Sequence, residues 1–332
     1  MNHEAAPLRQ VLLLARAPSM LDPHGPGAAR VTSLWWVMLA IALVVLTVVV
    51  VMLVVAVLRG RRSASPGREQ ARPASGEEPR WGEPFIVVAG FVIPALILVT
   101  LFVVSLRAMA ALRDPGQAAE LEIRVTGHMW WWEAQYPNGA VTANEIHVPA
   151  GRPVRFTVTS ADVIHSFWVP QLQVKADMIP GKVNTLTIQA DEPGRWRGQC
   201  AEFCGLQHAQ MIFWVVAEPP ATFDRWMAHE ALAAAQPTDP GAARGQSVFL
   251  NQTCAGCHAV RGTPASLARV GPDLTHLASR STIAAGVLPQ TRAALAAWVS
   301  DPQVAKPGAV MPPTDLTAAE LDALLDYLQS LK

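Results

Sequence analysis

Two stretches of this 332-residue chain carry no charged side chain and few polar ones: Leu34–Leu58, 25 residues, and Phe85–Leu106, 22 residues. As helices rising 1.5 Å per residue they reach about 37 and 33 Å, enough to cross a hydrocarbon layer of about 30 Å. The alternative, a pair of buried core helices, needs no uncharged run of this length. The chain is therefore expected to hold a transmembrane helical hairpin in a lipid bilayer. Trp35 and Trp36 stand where an interfacial aromatic would anchor the first span, and Pro94 interrupts the second.

Between the spans lie Arg59, Arg61, Arg62, Arg68, Arg72 and Arg80; before them come only Arg9, Arg16 and Arg30. Arginine-rich short loops stay in the cytoplasm, so both chain ends are expected to face outward. The apolar run VLLLARA near the N-terminus is too short for a signal-peptide core, and residues 1–33 read as an outward tail. With 26 basic and 26 acidic residues, no nucleic-acid footprint is visible.

From Glu120 to about Glu218 the sequence changes to strand language. EIRVTGHMWWWEAQY, RPVRFTVTS, NTLTIQA and MIFWVVAEP are rich in β-branched and aromatic residues and are divided by PNG, PAG, PGK and EPG. That punctuation predicts a compact all-β sandwich or barrel. A proline-flanked segment with one short helix, Phe223–Ala235, follows and reads as a semi-rigid tether. Beyond Gly241 the pattern is helical. Thr317 and Glu320 form a capping box ahead of an apolar face of Leu321, Leu324, Leu325, Leu328 and Leu331. The expected units are the tail 1–33, the hairpin 34–106, a β domain 107–218, a linker 219–240 and a small helical domain 241–332.

All four cysteines fall in two short motifs. CAGCH, residues 254–258, has two thiols spaced for both vinyl groups of a haem and a histidine directly after, the c-type haem attachment pattern. A redox pair or half a zinc site leaves His258 unexplained. An electron-transfer haem favours a thioether as sixth ligand, and Met311 is the sole methionine downstream; His276 is the histidine competitor. The second motif is GQCAEFCGLQHAQM, residues 198–211, which collects Cys200, Cys204, His208 and Met211. A disulfide would leave the imidazole and thioether without a role. A Cys2His2 zinc site could take His165 from DVIHSFWVP. Copper is the third reading: two thiolates can bridge two copper ions, each completed by one imidazole and one weak axial donor, with His165 as the second imidazole and a backbone carbonyl as the second axial group.

The stretches GHMWWW, ADVIHSFWVP, KADMIPGK and GQCAEFCGLQHAQM resemble subunit II of haem–copper cytochrome c oxidases. The appended CAGCH, GPDLTHLASR and MPP resemble the bacterial caa-type members, in which a cytochrome c domain is fused to that subunit. The resemblance implies a cupredoxin-like all-β domain followed by an all-α cytochrome c domain. It implies a binuclear copper centre held by His165, Cys200, Cys204, His208 and Met211. The Glu202 carbonyl would complete that centre, and the Glu202 side chain would reach a magnesium ion at a subunit interface. It implies a covalent haem c on Cys254, Cys257 and His258 with Met311 as axial ligand, and Trp130 as the aromatic through which electrons arrive.

As partners the resemblance implies subunits I and III, with soluble cytochrome c or quinol–cytochrome c reductase as donor. Its implied setting is the bacterial inner membrane with both cofactor domains on the periplasmic side. The expected activity is electron transfer to a partner subunit that reduces oxygen and translocates protons; an electron-receiving subunit of a haem–copper nitric oxide reductase is the alternative. One departure stands out. Where the family places a glutamate seven residues before the proline of the second span, this chain has Val87, and its nearest acid is Glu83.

Overall fold

The computed structural model describes residues 18–63, 82–113 and 119–332. Arg9, Arg16, Arg68, Arg72, Arg80 and the VLLLARA segment lie outside these. The chain divides into two compact units: residues 30–115, which contain the long apolar helices, and a second unit formed by residues 116–332 together with the N-terminal residues up to Ala29.

Helix α1, Pro26–Ser63, begins eight residues before the uncharged run. Its apolar side chains are exposed, as suits a lipid-facing surface. Thr47, a rare polar group within it, gives its hydroxyl to the Leu43 carbonyl at 2.7 Å, which removes an unsatisfied donor from an apolar medium. The second apolar helix is in three parts: α2, Gly82–Val87; a π-helical turn, Val88–Val92; and α3, Ile93–Arg113. Pro94 has no N–H for the Gly90 carbonyl and its ring would clash there, so the helix widens by one π turn just before it and continues. The proline thus bulges the span without ending it. Arg30 reaches the Ala111 carbonyl at 3.0 Å and ties the two helices together.

In the other unit ten strands form two five-stranded sheets. They are β1 Leu121–His128, β2 Trp131–Gln135, β3 Val141–Ala143, β4 Glu145–Pro149, β5 Val154–Ser160, β6 His165–Trp168, β7 Ala176–Met178, β8 Asn184–Ile188, β9 Gly194–Cys200 and β10 Ile212–Glu218. One sheet runs β3-β2-β1-β5-β8 and the other β4-β10-β9-β6-β7. Alternation places Ile123 and Val125 of β1 and Val154, Phe156 and Val158 of β5 inward, where they meet Phe167 and Phe213 of the facing sheet. This is the sandwich that the strand pattern predicts. The N-terminal segment docks on it: His24 N–H bonds the Gln171 carbonyl at 2.7 Å and Ala28 N–H the Leu172 carbonyl at 3.0 Å.

The segment after β10 is packed, unlike a free tether. Helix α4, Pro220–Glu230, inserts Phe223 into the sandwich core. Trp226 of α4 stacks on His147 at 4.1 Å and 6°. The helical domain then comprises α5 Pro240–Asn251, α6 Cys254–Cys257, α7 Arg292–Ser300, α8 Pro302–Ala305 and α9 Ala318–Ser330, plus a two-residue ladder, Thr282–Ile283 with Leu288–Pro289. The Thr317–Glu320 capping box is present and starts α9. Helices α5 and α9 cross at Gly245, where a Cβ would lie 1.9 Å from the Ala323 carbonyl oxygen, so only glycine allows this approach.

The helical domain rests on the sandwich. Trp131 and Ala143 from the β domain form an apolar cluster with Ala285 from the helical domain. Ile212 N–H at the start of β10 bonds the Ala285 carbonyl at 3.2 Å.

Candidate metal and haem centres

Strand β9 ends at Cys200 and β10 starts at Ile212, so the eleven residues between are a loop closed by the Cys200 N–H bond to the Met211 carbonyl at 3.0 Å. Its sulfurs converge: Cys200 Sγ and Cys204 Sγ are 3.7 Å apart as free thiols, not a disulfide. His165, at the start of β6, brings Nδ1 to 3.8 Å from Cys200 Sγ. On the other side, Cys204 Sγ lies 3.6 Å from His208 Nδ1 and 3.8 Å from Met211 Sδ. The Glu202 carbonyl is 3.2 Å from Cys200 Sγ. All six groups expected from the sequence are therefore brought together, three around each sulfur.

Electrostatics tests whether a cation belongs here. The neighbouring Cys204 thiol, against the opposing effect of burial, holds the Cys200 thiol down at about 3, and Cys200 in turn pushes Cys204 up. Two buried thiolates this close cannot both carry charge without a compensating cation. A metal supplies it, and the residues fit. His165, Cys200 and Cys204 have ligand atoms within 4.8 Å of one another, while His208 stands outside that group. One zinc ion at bond lengths of about 2.0–2.3 Å would need all four within roughly 4 Å, so the arrangement favours two ions over one.

Asp162 was not marked by the sequence reading. One of its oxygens accepts from His165 Nε2 at 2.8 Å and the other from the Met129 N–H at 2.7 Å. A carboxylate accepts only, so His165 carries its proton on Nε2 and keeps the Nδ1 lone pair for a metal. Asp162 precedes His165 by three residues, a signal present in ADVIH but weak without coordinates. Gly127 of β1 also belongs to the site: a Cβ there would come within 2.9 Å of His165 Cδ2. The Glu202 side chain points away, exposed, with its carboxylate 3.4 Å from Lys175 Nζ.

In the helical domain Cys254, Cys257 and His258 line one cavity with Met311. His258 Nδ1 donates to the Pro272 carbonyl at 2.8 Å, which leaves Nε2 unprotonated and available as a ligand. Burial lowers the basicity of this imidazole. The cavity walls are largely apolar, with Phe249, Leu295 and Trp298, which suits a haem plane. His276 is not among them; its Nδ1 and Nε2 meet the Lys332 and Leu232 main-chain oxygens at 2.9 and 3.1 Å. Arg280, buried and lining the cavity, is a second residue the sequence reading missed.

Trp130 connects the two centres. It lines the cavity of His258 and Met311, and its Nε1–H donates to the Cys204 carbonyl at 2.8 Å.

Residues 140–218 match the family described as cytochrome c oxidase subunit II, periplasmic domain, and residues 242–332 match cytochrome c. The chain is 35% identical to cytochrome c oxidase subunit 2 of Alkalihalophilus pseudofirmus, over 94% of this chain and 90% of that protein. It is 32% identical to the Bacillus subtilis protein of the same name, over 98% of each. The crystal structure of the periplasmic domain of subunit II of cytochrome oxidase from Bradyrhizobium japonicum is 33% identical, covering 34% of this chain and 95% of that one, at a TM-score of 0.34. With the likeness to the two subunit 2 proteins running through both domains, the chain belongs to the cytochrome c oxidase subunit 2 family.

Proposed function

We propose that the chain is the electron conduit of a haem–copper oxidase, taking electrons into a haem and passing them through a binuclear copper centre toward an oxygen-reducing partner. Membership of the family makes it a subunit of an oxidoreductase complex, anchored by apolar helices, with copper in the β domain and haem in the helical one. The likeness to oxidase subunits over almost the full length favours oxygen over nitric oxide as the final acceptor.

In this reading His165, Cys200, Cys204, His208, Met211 and the Glu202 carbonyl hold copper. Cys254 and Cys257 would hold a haem covalently, with His258 and Met311 as its iron ligands. Both metals supply one-electron redox capacity when bound. Asp162 fixes the His165 tautomer, and the Pro272 carbonyl fixes that of His258. Arg280, buried in the cavity wall, would offer a cation to the carboxylates of a bound haem. The domains take the boundaries 107–218 and 241–332, and the anchor crosses the membrane twice with both ends outside. Subunits I and III and a cytochrome donor are the proposed partners, and magnesium at the Glu202 carboxylate is proposed at the interface with subunit I.

The observation that carries the reading is the position of Trp130. It lines the cavity of His258 and bonds the loop of Cys204, and so offers a short route of one ring, one hydrogen bond and one residue's backbone to a thiol. Rapid mixing of the purified complex with a reduced carrier tests it. Haem should be reduced first, with copper following at a rate independent of protein concentration, and Trp130→Leu should slow only the second step. Copper reduced ahead of haem would overturn the proposal.

A further inference from the structure

Lys306 is 3% exposed, yet no carboxylate is among its hydrogen-bond partners. It belongs to the helical domain, just after α8. Its Nζ meets three main-chain carbonyls: Gln210 at 3.0 Å, Trp130 at 3.4 Å and Ala284 at 3.4 Å. Two belong to the β domain. One is the residue that joins the two centres, and the other directly precedes Met211. An ammonium has three N–H donors radiating from one point, so donors and acceptors match in number. A guanidinium fork cannot converge on three separate oxygens in this way. Burial pulls Lys306 down to about 8.

The third carbonyl comes from a turn with an unusual backbone. Ala284, Ala285 and Gly286 have φ of 54°, 55° and 78° in succession. Two alanines in the left-handed region are costly, and such conformations persist where surrounding contacts hold them. Here the turn aims the Ala284 carbonyl at Lys306 and the Ala285 carbonyl at the Ile212 N–H. Gln207 of the copper loop donates to the Pro307 carbonyl, next to the lysine.

We propose that Lys306 is a positioning residue that locks the haem domain onto the copper loop through these three carbonyls, keeping Trp130 wedged between the two centres. The inference rests on the electron-conduit reading above and adds to it the residue that sets the docking geometry. Docking is then permanent during turnover, and transfer between the centres needs no domain movement.

The test uses the complete oxidase complex carrying wild-type chain, Lys306→Met or Lys306→Arg. In the wild type, haem-to-copper transfer should not change with solvent viscosity, and the Ile212 amide should resist hydrogen exchange. Lys306→Met should slow that transfer about tenfold or more, because the observed rate scales with the docked fraction. It should also make the rate viscosity-dependent and release the Ile212 amide, while haem and copper spectra and haem reduction by the donor stay unchanged. Lys306→Arg should fall between. Unchanged rate, viscosity independence and Ile212 protection in Lys306→Met would overturn the proposal, as would viscosity-dependent transfer in the wild type. If Lys306→Met fails to assemble, Lys306→Arg is judged by the same readouts. Absence of a copper signal in the wild type, or copper reduced before haem, defeats the conduit reading instead; Ile212 exchange still decides the role of Lys306.

Discussion

Asp162 grips His165 Nε2 at 2.8 Å with one carboxylate oxygen while the other holds the Met129 amide at 2.7 Å. One side chain therefore orients a metal-facing imidazole and the segment that carries Trp130. Asp162→Asn can still accept but no longer offers a negative charge to the ring. Copper affinity should fall roughly 10–100-fold, the usual cost of losing such a partner. Competition with a copper chelator measures it; unchanged affinity would make Asp162 a loop brace only.

The pairing of the two thiols sets a second expectation. Purified protein should hold two coppers and one haem iron per chain, with an unpaired electron shared by two copper nuclei in its paramagnetic resonance spectrum. Cys200→Ser and Cys204→Ser should each abolish the shared signal. Met211→Leu should retain copper and shift its potential, since an axial thioether is a weak ligand. One zinc and no copper on elemental analysis would sink the assignment.

Met311 and His276 separate cleanly by experiment. Met311→Ala should convert a low-spin six-coordinate haem into a high-spin one. His276→Ala should leave the haem spectrum alone but destabilise the domain by about 1–3 kcal/mol, because a main-chain oxygen loses its donor. The reverse pattern would exchange their roles.

Glu145 couples the domains in a pH-dependent way. Burial would raise its pKa, but hydrogen bonds to His147 and Ser281 and the charge of Arg195 bring it down to about 2. Ser281 belongs to the helical domain, so part of this stabilisation is docking. A depressed carboxylate contributes stability that is full above its ordinary value near 4.5 and is lost as pH falls toward 2. The limit is on the order of 3 kcal/mol. Thermal melts from pH 6 to pH 2 should show Glu145→Gln less stable at pH 6 and converging with wild type at the acid end.

The metal-facing residues were legible because their chemistry is concentrated in short motifs. Cys200, Cys204, His208 and Met211 fall within twelve residues, and Cys254, Cys257 and His258 within five. The sandwich and the start of α9 were legible for similar local reasons, through alternation and a capping box. What supports the sites was not. Asp162, Arg280 and Lys306 look like ordinary polar residues until distant segments meet, and a buried lysine bonded to carbonyls has no local signature. The linker read as a tether because its prolines are visible, whereas the stacking of Trp226 on His147 depends on a strand about eighty residues earlier. Pro94 read as an interruption, and only coordinates show the wider turn that absorbs it. Glu83 lies in the first turn of α2, four residues before Val87, so the acid and the departure from the family pattern share one helix face.

Trp130 shares one cavity with His258 and Met311 of the helical domain, and Lys306 is buried against its carbonyl. With a haem seated in that cavity, a diffusing carrier would address the haem crevice in place of that ring. The fusion turns a public socket into a captive one. Competition among soluble carriers is moved outward to the surface of the tethered domain, and whatever selects the donor must be written there, free of the constraints that shape the copper loop.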